Sequence, residues 1–186
     1  EDRLLAEKTV SEILMLFGLP QREFNADDIE KVFRAAIYEQ EDSDARMNSG
    51  WTNVASFATT FLENYEGRYP QVSWNSRIST SIVSRLDFLL VEAGIEDPTQ
   101  IFPNIGIVSA WGGTRPRELS LNWPDAYRKW PYQLAASRLV TKLRDHLNTA
   151  KDDNGQRLYP EMPLATGGSG LWTVQGIQQV LSADGY

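Results

Sequence analysis

Apolar residues recur along most of this chain at the spacing of an α-helix with one buried face. In the first such segment, Val10, Ile13, Leu14 and Phe17 occupy positions i, i+3, i+4 and i+7. Pro20 cannot continue a helix because it has no backbone N–H to donate. The pattern therefore predicts a first amphipathic helix that ends before Pro20.

A second helix is predicted after Asn25, because asparagine is a favoured N-cap. Asp27 and Asp28 follow in the first turn, where the helix dipole favours acidic side chains. The apolar stripe of this helix consists of Ile29, Val32, Phe33, Ala36 and Ile37. Residues 39–50 are mostly polar and predict a solvated loop.

A third helix is predicted from Thr52 or Asn53, and a fourth from Asn75 or Ser76, since each of these side chains can cap a helix N-terminus. The third presents Val54, Phe57, Ala58, Phe61 and Tyr65 on one side, and the fourth presents Ile78, Ile82, Leu86, Leu89 and Leu90. Both stripes have the helical period, so both segments are expected to pack on a core.

The fourth predicted helix has a wider apolar arc than the others, because Val83, Phe88 and Val91 extend it beyond one stripe. We expect it to be the most buried helix of the chain. Arg85 and Asp87 within it must then face an edge or a partner, because an unpaired buried charge is costly.

Residues 104–125 interrupt the helical pattern with two tryptophans, a Gly-Gly pair and two prolines. Asn104 can cap a short helix that reaches Trp111, and Thr114 with Pro116 can start another that ends before Pro124. A longer helix is predicted next, with Pro131 in its first turn and a ridge formed by Ala135, Leu139, Leu143 and Leu147.

The end of the chain contains a tight-turn signal, Asp153-Asn154-Gly155, which favours one minor hairpin near residues 150–160. Residues 164–171 are typical of a flexible connector, and Thr173 can cap a final helix. The whole pattern predicts an all-α fold, a single compact domain over residues 1–186 with seven to eight helices.

Composition agrees with a globular domain, since 41% of the 186 residues are hydrophobic and 23% are charged. No apolar run reaches the length of about 20 residues that a membrane span requires, so no membrane partner is expected. The chain has no cysteine, which excludes disulfides and thiolate metal sites. We expect an intracellular or virion protein.

Charge is distributed unevenly along the chain, whose formal net charge is −7. Residues 1–50, the acidic front, contain 12 acids and 6 bases, whereas residues 111–157, the basic rear, contain 9 bases and 5 acids. Opposite charges at the two ends of a small domain favour head-to-tail self-association.

Catalytic motifs are weak. His146 is the only histidine, so a Ser-His-Asp triad or a two-histidine metal site would have to use it. It lies late in a predicted helix beside Leu143 and Leu147, where a structural role is ordinary. We therefore assign no catalytic residue, no metal site and no cofactor.

The basic rear interleaves cations with flat aromatic side chains, a composition that suits single-stranded nucleic acid. The candidate binding residues are Trp111, Arg115, Arg117, Trp123, Tyr127, Arg128, Lys129, Trp130, Arg138 and Lys142. Three interpretations remain open for them: core packing with ion pairs to the acidic front of the same chain, a contact between subunits, or a nucleic-acid surface.

The first functional hypothesis is a non-enzymatic structural or assembly protein that self-associates through its acidic and basic surfaces, of a capsid- or nucleocapsid-like kind. The alternatives are a helical adaptor or nucleic-acid-binding module that uses the Trp- and Arg-rich region, and an enzyme with a cleft of carboxylates and arginines. The expected partner is another copy of the chain or another protein, with single-stranded nucleic acid as a further option.

Overall fold

The computed structural model of this protein describes residues 2–19, 23–65, 67–109 and 118–185. Within them lie α1 (Asp2–Leu16), α2 (Ala26–Ile37), α3 (Trp51–Thr59), α4 (Ser76–Glu92), α5 (Trp130–Thr149), α6 (Val174–Asp184), two short 3-10 turns at Thr60–Asn64 and Pro98–Gln100, and the strands β1 (Met162–Pro163) and β2 (Ser169–Gly170). The chain is predominantly helical, as the apolar periodicity predicts.

Three of the predicted helix N-caps are confirmed. The side chain of Asn25 accepts a hydrogen bond from the backbone N–H of Asp28, whose carboxylate accepts one from Asn25 N. Asn75 caps α4 and Thr173 caps α6 through their side-chain oxygens. Capping satisfies N–H groups that have no partner within a helix, which explains why these boundaries can be read from sequence.

The predicted start of the third helix is wrong, because Thr52 and Asn53 lie inside α3. Asn48 supplies the oxygen that accepts hydrogen bonds from Gly50 N and Trp51 N, at 2.8 and 3.2 Å. Thr52 and Asn53 are buried; Thr52 Oγ1 donates to Gln133 Oε1 of α5, and Asn53 Nδ2 donates to the carbonyl of Ser49.

Six α-helices lie within the described residues, rather than seven to eight. The predicted short helices after residue 104 are absent from residues 104–109 and 118–123, because that backbone bonds to distant partners. Ile107 N donates to Pro124 O at 2.9 Å, and Ala126 N donates to Ile107 O at 2.8 Å. Residues 110–117, which include Trp111, lie outside the described residues.

The minor hairpin predicted near residues 150–160 is present as one antiparallel bridge, between Lys151 and Arg157, with backbone hydrogen bonds on both sides of it. A second, two-stranded ladder, which the sequence did not predict, pairs Met162 with Gly170 and Pro163 with Ser169. Residues 164–168, assigned by sequence to a connector, form the turn of this ladder.

Two hydrophobic clusters form the core, and α5 contributes to both. The front cluster packs α1, α2 and α3 around Trp130 and Leu134 at the beginning of α5. The rear cluster packs α4 and α6 with Ala136 and Val140, one to two turns later in the same helix. The helical repeat of α5 therefore places successive turns in different clusters.

A buried polar seam lies between the clusters, where the irregular segment 70–74 contacts α3 and α5. Gln133 donates from Nε2 to Val72 O at 2.6 Å and accepts from Thr52 Oγ1 at 2.6 Å. Ser137 donates to Gln71 Oε1 at 2.9 Å and accepts from Val72 N at 3.1 Å. Two of these bonds satisfy the backbone N–H and C=O of Val72, which lies in no helix or strand.

Candidate functional site

An open apolar groove lies between α1 and α3. Its floor includes Val10 and Val54, and its walls include Leu5, Leu16 and Phe57. The groove has a volume of about 850 Å³, and nine of its twelve described lining residues are apolar. We call it the α1/α3 groove.

The groove exists because α1 is apolar on more than one face. Val10 and Leu14 are buried in the front cluster, as the sequence pattern predicts for that face. Leu5 and Leu16 point away from the cluster, and 74% of Leu16 is exposed. A helix of an isolated domain ordinarily presents polar residues on its outer face, so this exposed apolar surface indicates a contact site.

Asp2 and Glu12 are the charged residues that line the groove among the described ones. They give the groove an acidic character, in keeping with the acidic front of the chain. A carbon-lined groove of this size with carboxylates beside it matches the surface that binds an amphipathic helix. Within the lining residues there is no cysteine or histidine that could serve as a nucleophile or base.

A second exposed apolar surface lies on the C-terminal half of α4 and consists of Phe88, Leu89 and Val91. We call it the α4 ridge. The prediction that α4 is the most buried helix is wrong in this half, since 61% of Phe88 is exposed. The inner face of α4 is buried as predicted, through Ile78 and its neighbours in the rear cluster.

The two described tryptophans of the predicted binding region are core residues. Trp123 belongs to the rear cluster, and its Nε1 donates to Asp87 Oδ1 at 2.9 Å. Trp130 belongs to the front cluster, and its Nε1 donates to Ala45 O at 2.9 Å. Both rings are buried, so neither offers a surface face for stacking.

The predicted basic residues on α5 differ in their surroundings. Arg138 pairs with Glu39 at 2.7 Å and with Glu41 at 2.9 Å, and both acids belong to the acidic front. Burial alone would lower the pKa of the Arg138 guanidinium, but its bonds to these carboxylates raise it above the usual value. Lys142 is exposed and forms no ion pair with a described residue.

Tyr127, Arg128 and Lys129 form a short stretch just before α5. The Arg128 guanidinium lies 4.9 Å from the centre of the Tyr127 ring, and Lys129 donates to Asp125 O at 2.8 Å. Tyr127 and Arg128 also line a small pocket of about 180 Å³ beside Arg46. Of the predicted binding residues, Trp111, Arg115 and Arg117 lie outside the described residues.

His146 is exposed on α5, and its Nε2 lies 3.4 Å from the Tyr159 hydroxyl. Within the described residues, no cluster of three or more His, Cys, Asp or Glu is placed to hold a metal ion. No helix in that part of the chain is long and apolar enough to cross a bilayer.

No protein-family model matches the chain, and comparisons with curated proteins and with solved structures find no significant match.

Proposed function

We propose that this protein is a non-enzymatic assembly subunit whose α1/α3 groove receives the α4 ridge of a second copy. The single observation that carries the proposal is that one chain presents both an unfilled apolar groove and an apolar helix ridge. Phe88 and Val91 are three positions apart, a spacing that lets both side chains enter a groove.

The groove and the ridge belong to different parts of the molecule. The groove is formed by helices of the front cluster, and the ridge by a helix of the rear cluster. Contact between unlike surfaces is head-to-tail, so each added copy leaves one groove and one ridge open. Such contacts build rings or filaments, as in capsid- or nucleocapsid-like assemblies.

Charge contributes less to this association than the acidic front and basic rear suggest. Arg138 is paired with Glu39 and Glu41 of the same chain, and Arg144 is paired with Glu63. These cations are therefore occupied by intramolecular partners. Burial of apolar surface is left as the main driving force, which salt does not screen.

The test is sedimentation velocity over a concentration series. We expect particle mass to rise with protein concentration, and to do so at both about 0.1 M and about 1 M NaCl, because apolar contacts are not screened by ions. A strict monomer at all concentrations would overturn the proposal. Association that disappears at the higher salt would replace the apolar contact by a charge-driven one.

Substitutions at two exposed positions test the groove and the ridge independently. Leu16→Asp places a charge in the groove, and Phe88→Asp places one on the ridge; each is expected to weaken association more than about tenfold, because burying an unpaired carboxylate costs more than 1.4 kcal/mol. Leu158→Asp is the matched control, since Leu158 is exposed but lies in neither surface. Thermal unfolding by circular dichroism checks that all three variants fold.

Mixing the two variants tests the head-to-tail geometry directly. The Leu16→Asp protein keeps a working ridge, and the Phe88→Asp protein keeps a working groove. We therefore expect an equimolar mixture to form a heterodimer that grows no further. A symmetric groove-to-groove contact would instead leave the Phe88→Asp protein assembling like the unmodified chain, and would contradict the proposed pairing.

A further inference from the structure

The small pocket beside Arg46 lies where the end of α1, the beginning of α3 and the segment before α5 meet. It has a volume of about 180 Å³, and its lining includes Leu19, Phe24, Ser49 and Arg128. We call it the guanidinium pocket. Of its described lining residues, none lines the α1/α3 groove or belongs to the α4 ridge. The pocket is therefore separate from the proposed assembly contact.

Two guanidinium groups line the pocket, and among the described residues no carboxylate does. Arg46 is already paired, because its Nε donates to Asp28 at 3.0 Å and its Nη1 donates to Glu23 O at 2.8 Å. The Arg128 side chain has neither an ion pair nor a hydrogen bond with a described residue, and its guanidinium lies 4.9 Å from the centre of the Tyr127 ring. Stacking occupies a face of the guanidinium and leaves the N–H groups at its edge as donors. Arg128 therefore supplies an uncompensated positive charge at the pocket.

The backbone of Arg128 has a φ of +63°. Arginine seldom adopts this left-handed conformation, because its Cβ crowds the following carbonyl oxygen. Residues held in such conformations are concentrated at ligand sites, where the surrounding fold imposes a geometry that local preference opposes. The fold therefore keeps Arg128 at the pocket against its own backbone preference.

The accessible walls of the pocket are carbon. Leu19, Phe24 and Tyr127 are half-buried, so each retains surface that a ligand can contact. The buried Trp51 also lines the pocket, and its ring lies edge-to-face with that of Phe24 at 5.5 Å. An apolar cavity of about 150 Å³ holds a benzene molecule, so this pocket has room for one ring with a small polar group attached.

Ser49 adds a hydroxyl donor. It is half-buried, and its Oγ forms no hydrogen bond with a described residue, since only its carbonyl is bonded, to Asn53 Nδ2. The backbone N–H groups of Gly50 and Trp51 already donate to Asn48 Oδ1. A ligand would therefore be bound by side chains rather than by the end of α3. A guanidinium edge and a hydroxyl are donors that suit a carboxylate.

We propose that the guanidinium pocket binds a small aromatic monocarboxylate. The carboxylate pairs with Arg128 and accepts from the Ser49 hydroxyl, while the ring packs against the carbon walls. Asp28 compensates Arg46, so the charge left at the pocket matches a single negative charge. A phosphate monoester carries nearly two negative charges near neutral pH, and a cation has no lining carboxylate to pair with, so both are disfavoured.

The experiment is isothermal titration of the full chain, near neutral pH, with benzoate, phenylacetate and hydrocinnamate. The comparison ligands are acetate, which lacks the ring, benzamide, which lacks the charge, and phenyl phosphate. We expect at least one aromatic carboxylate to bind saturably, and about tenfold more tightly than acetate and benzamide, because ring and charge are both engaged. The proposal would be overturned by the absence of saturable binding for all three aromatic carboxylates, by equal binding of benzamide, or by tighter binding of phenyl phosphate.

Two variants of Arg128 assign the binding to the pocket. Arg128→Gln removes the uncompensated charge and is expected to weaken binding by about tenfold or more. Arg128→Gly also removes it, and glycine adopts a positive φ without strain, so this variant should lose binding without losing stability in circular dichroism melts. Lys142→Gln is the matched control, since it removes an exposed positive charge outside the pocket. Unchanged affinity in both Arg128 variants would refute the assignment.

A last titration separates this site from assembly. The Phe88→Asp protein has a disabled ridge, but Phe88 does not line the guanidinium pocket. We therefore expect it to bind the aromatic carboxylate as tightly as the unmodified chain does, whether or not the chain assembles through its ridge. Loss of binding in Phe88→Asp would place the ligand at the assembly contact and overturn the proposal of a separate pocket.

Discussion

The indole Nε1 of Trp123 donates a hydrogen bond of 2.9 Å to Oδ1 of Asp87, a residue 36 positions earlier in the chain. The same carboxylate accepts from the backbone N–H of Ser120 at 2.8 Å and of Leu121 at 2.9 Å. Asp87 lies on α4 and is only 5% exposed. One buried carboxylate therefore holds the segment 120–123 against the rear cluster.

Replacing this carboxylate should destabilise the protein. In Asp87→Asn the amide offers one acceptor and places an NH₂ group against donors, so we expect a loss of about 2–4 kcal/mol in the free energy of unfolding. Urea denaturation followed by tryptophan fluorescence measures it. The control is Glu92→Gln, an exposed position on the same helix, expected to change stability by less than about 0.5 kcal/mol. Equal stabilities for the two variants would contradict the assigned role.

Asp87 also predicts how stability depends on pH. Burial alone would raise the pKa of its carboxyl, but the hydrogen bonds from Ser120, Leu121 and Trp123 hold it below the usual value. Because the folded-state pKa is lower than the unfolded value of about 3.9, the stabilisation is complete above that pH and is lost as the pH falls through the folded-state pKa.

We therefore expect the unfolding temperature to fall below about pH 4, and to fall less steeply in Asp87→Asn. Circular dichroism melts from pH 3 to pH 7 measure both slopes, with Glu92→Gln as control. A residual slope is expected in the variant because the exposed carboxyls of Asp44 and Asp97 also have lowered pKa values. If the unfolding temperature fell equally with pH in Asp87→Asn and in the unmodified chain, Asp87 would not be the group whose protonation destabilises the fold.

Glu63 joins three elements through one carboxylate. It pairs with Arg144 of α5 at 2.7 Å and accepts from Val174 N, at the beginning of α6, at 3.2 Å. Both charged side chains are 16% exposed, so Glu63→Gln is expected to cost about 1–3 kcal/mol, less than for a fully buried pair. The matched control is Glu161→Gln, which breaks the exposed pair with Arg157 and should cost less than about 1 kcal/mol.

The comparison uses guanidinium denaturation, with hydrogen exchange of the α6 amides as a second readout. Loss of a carboxylate at a helix N-terminus should raise exchange first in the opening turn of α6. Unchanged α6 protection in Glu63→Gln would mean that Glu63 does not hold that helix.

Gly106 is required by close packing of two chain segments. A Cβ at this position would overlap the carbonyl oxygen of Pro124, which accepts the hydrogen bond from Ile107 N. We expect Gly106→Ala to cost about 1–3 kcal/mol, because the backbone must move to make room. Gly170→Ala is the control, since its Cβ would lie at an ordinary 3.7 Å from Leu164. Equal unfolding temperatures for the two variants would contradict the close contact between Gly106 and Pro124.

The helices could be predicted from sequence wherever local rules determine them. Asn25, Asn75 and Thr173 cap the helices that follow them as predicted, and the apolar stripes of α2 and of the inner face of α4 are buried. These signals act within one or two turns, so a single sequence contains them in full.

The segment after residue 104 could not be predicted, because its conformation depends on distant groups. Its backbone N–H groups bond to Asp87 and Pro124 rather than to carbonyls one turn earlier. The intramolecular interpretation of the basic rear describes Arg138, but the sequence does not identify Glu39 and Glu41 as its partners.

The residues of the two exposed apolar surfaces are visible in the sequence, but the helical pattern alone does not distinguish them from core residues. Leu5 and Leu16 lie off the buried face of α1, and Phe88 lies off the buried face of α4. From the helical period alone, such residues look like part of a wider buried face, because the sequence does not show which part of a helix its neighbours cover.

Helix α5 contributes Trp130 and Leu134 to one hydrophobic cluster and Ala136 and Val140 to the other. Removing this helix would take packing from both clusters at once, so neither half of the chain contains a complete core without it. The two clusters are therefore expected to unfold together, because a perturbation that unfolds α5 in one cluster also removes packing from the other. Under the proposed assembly, α5 is therefore the element that links the cluster behind the α4 ridge to the helices that form the groove.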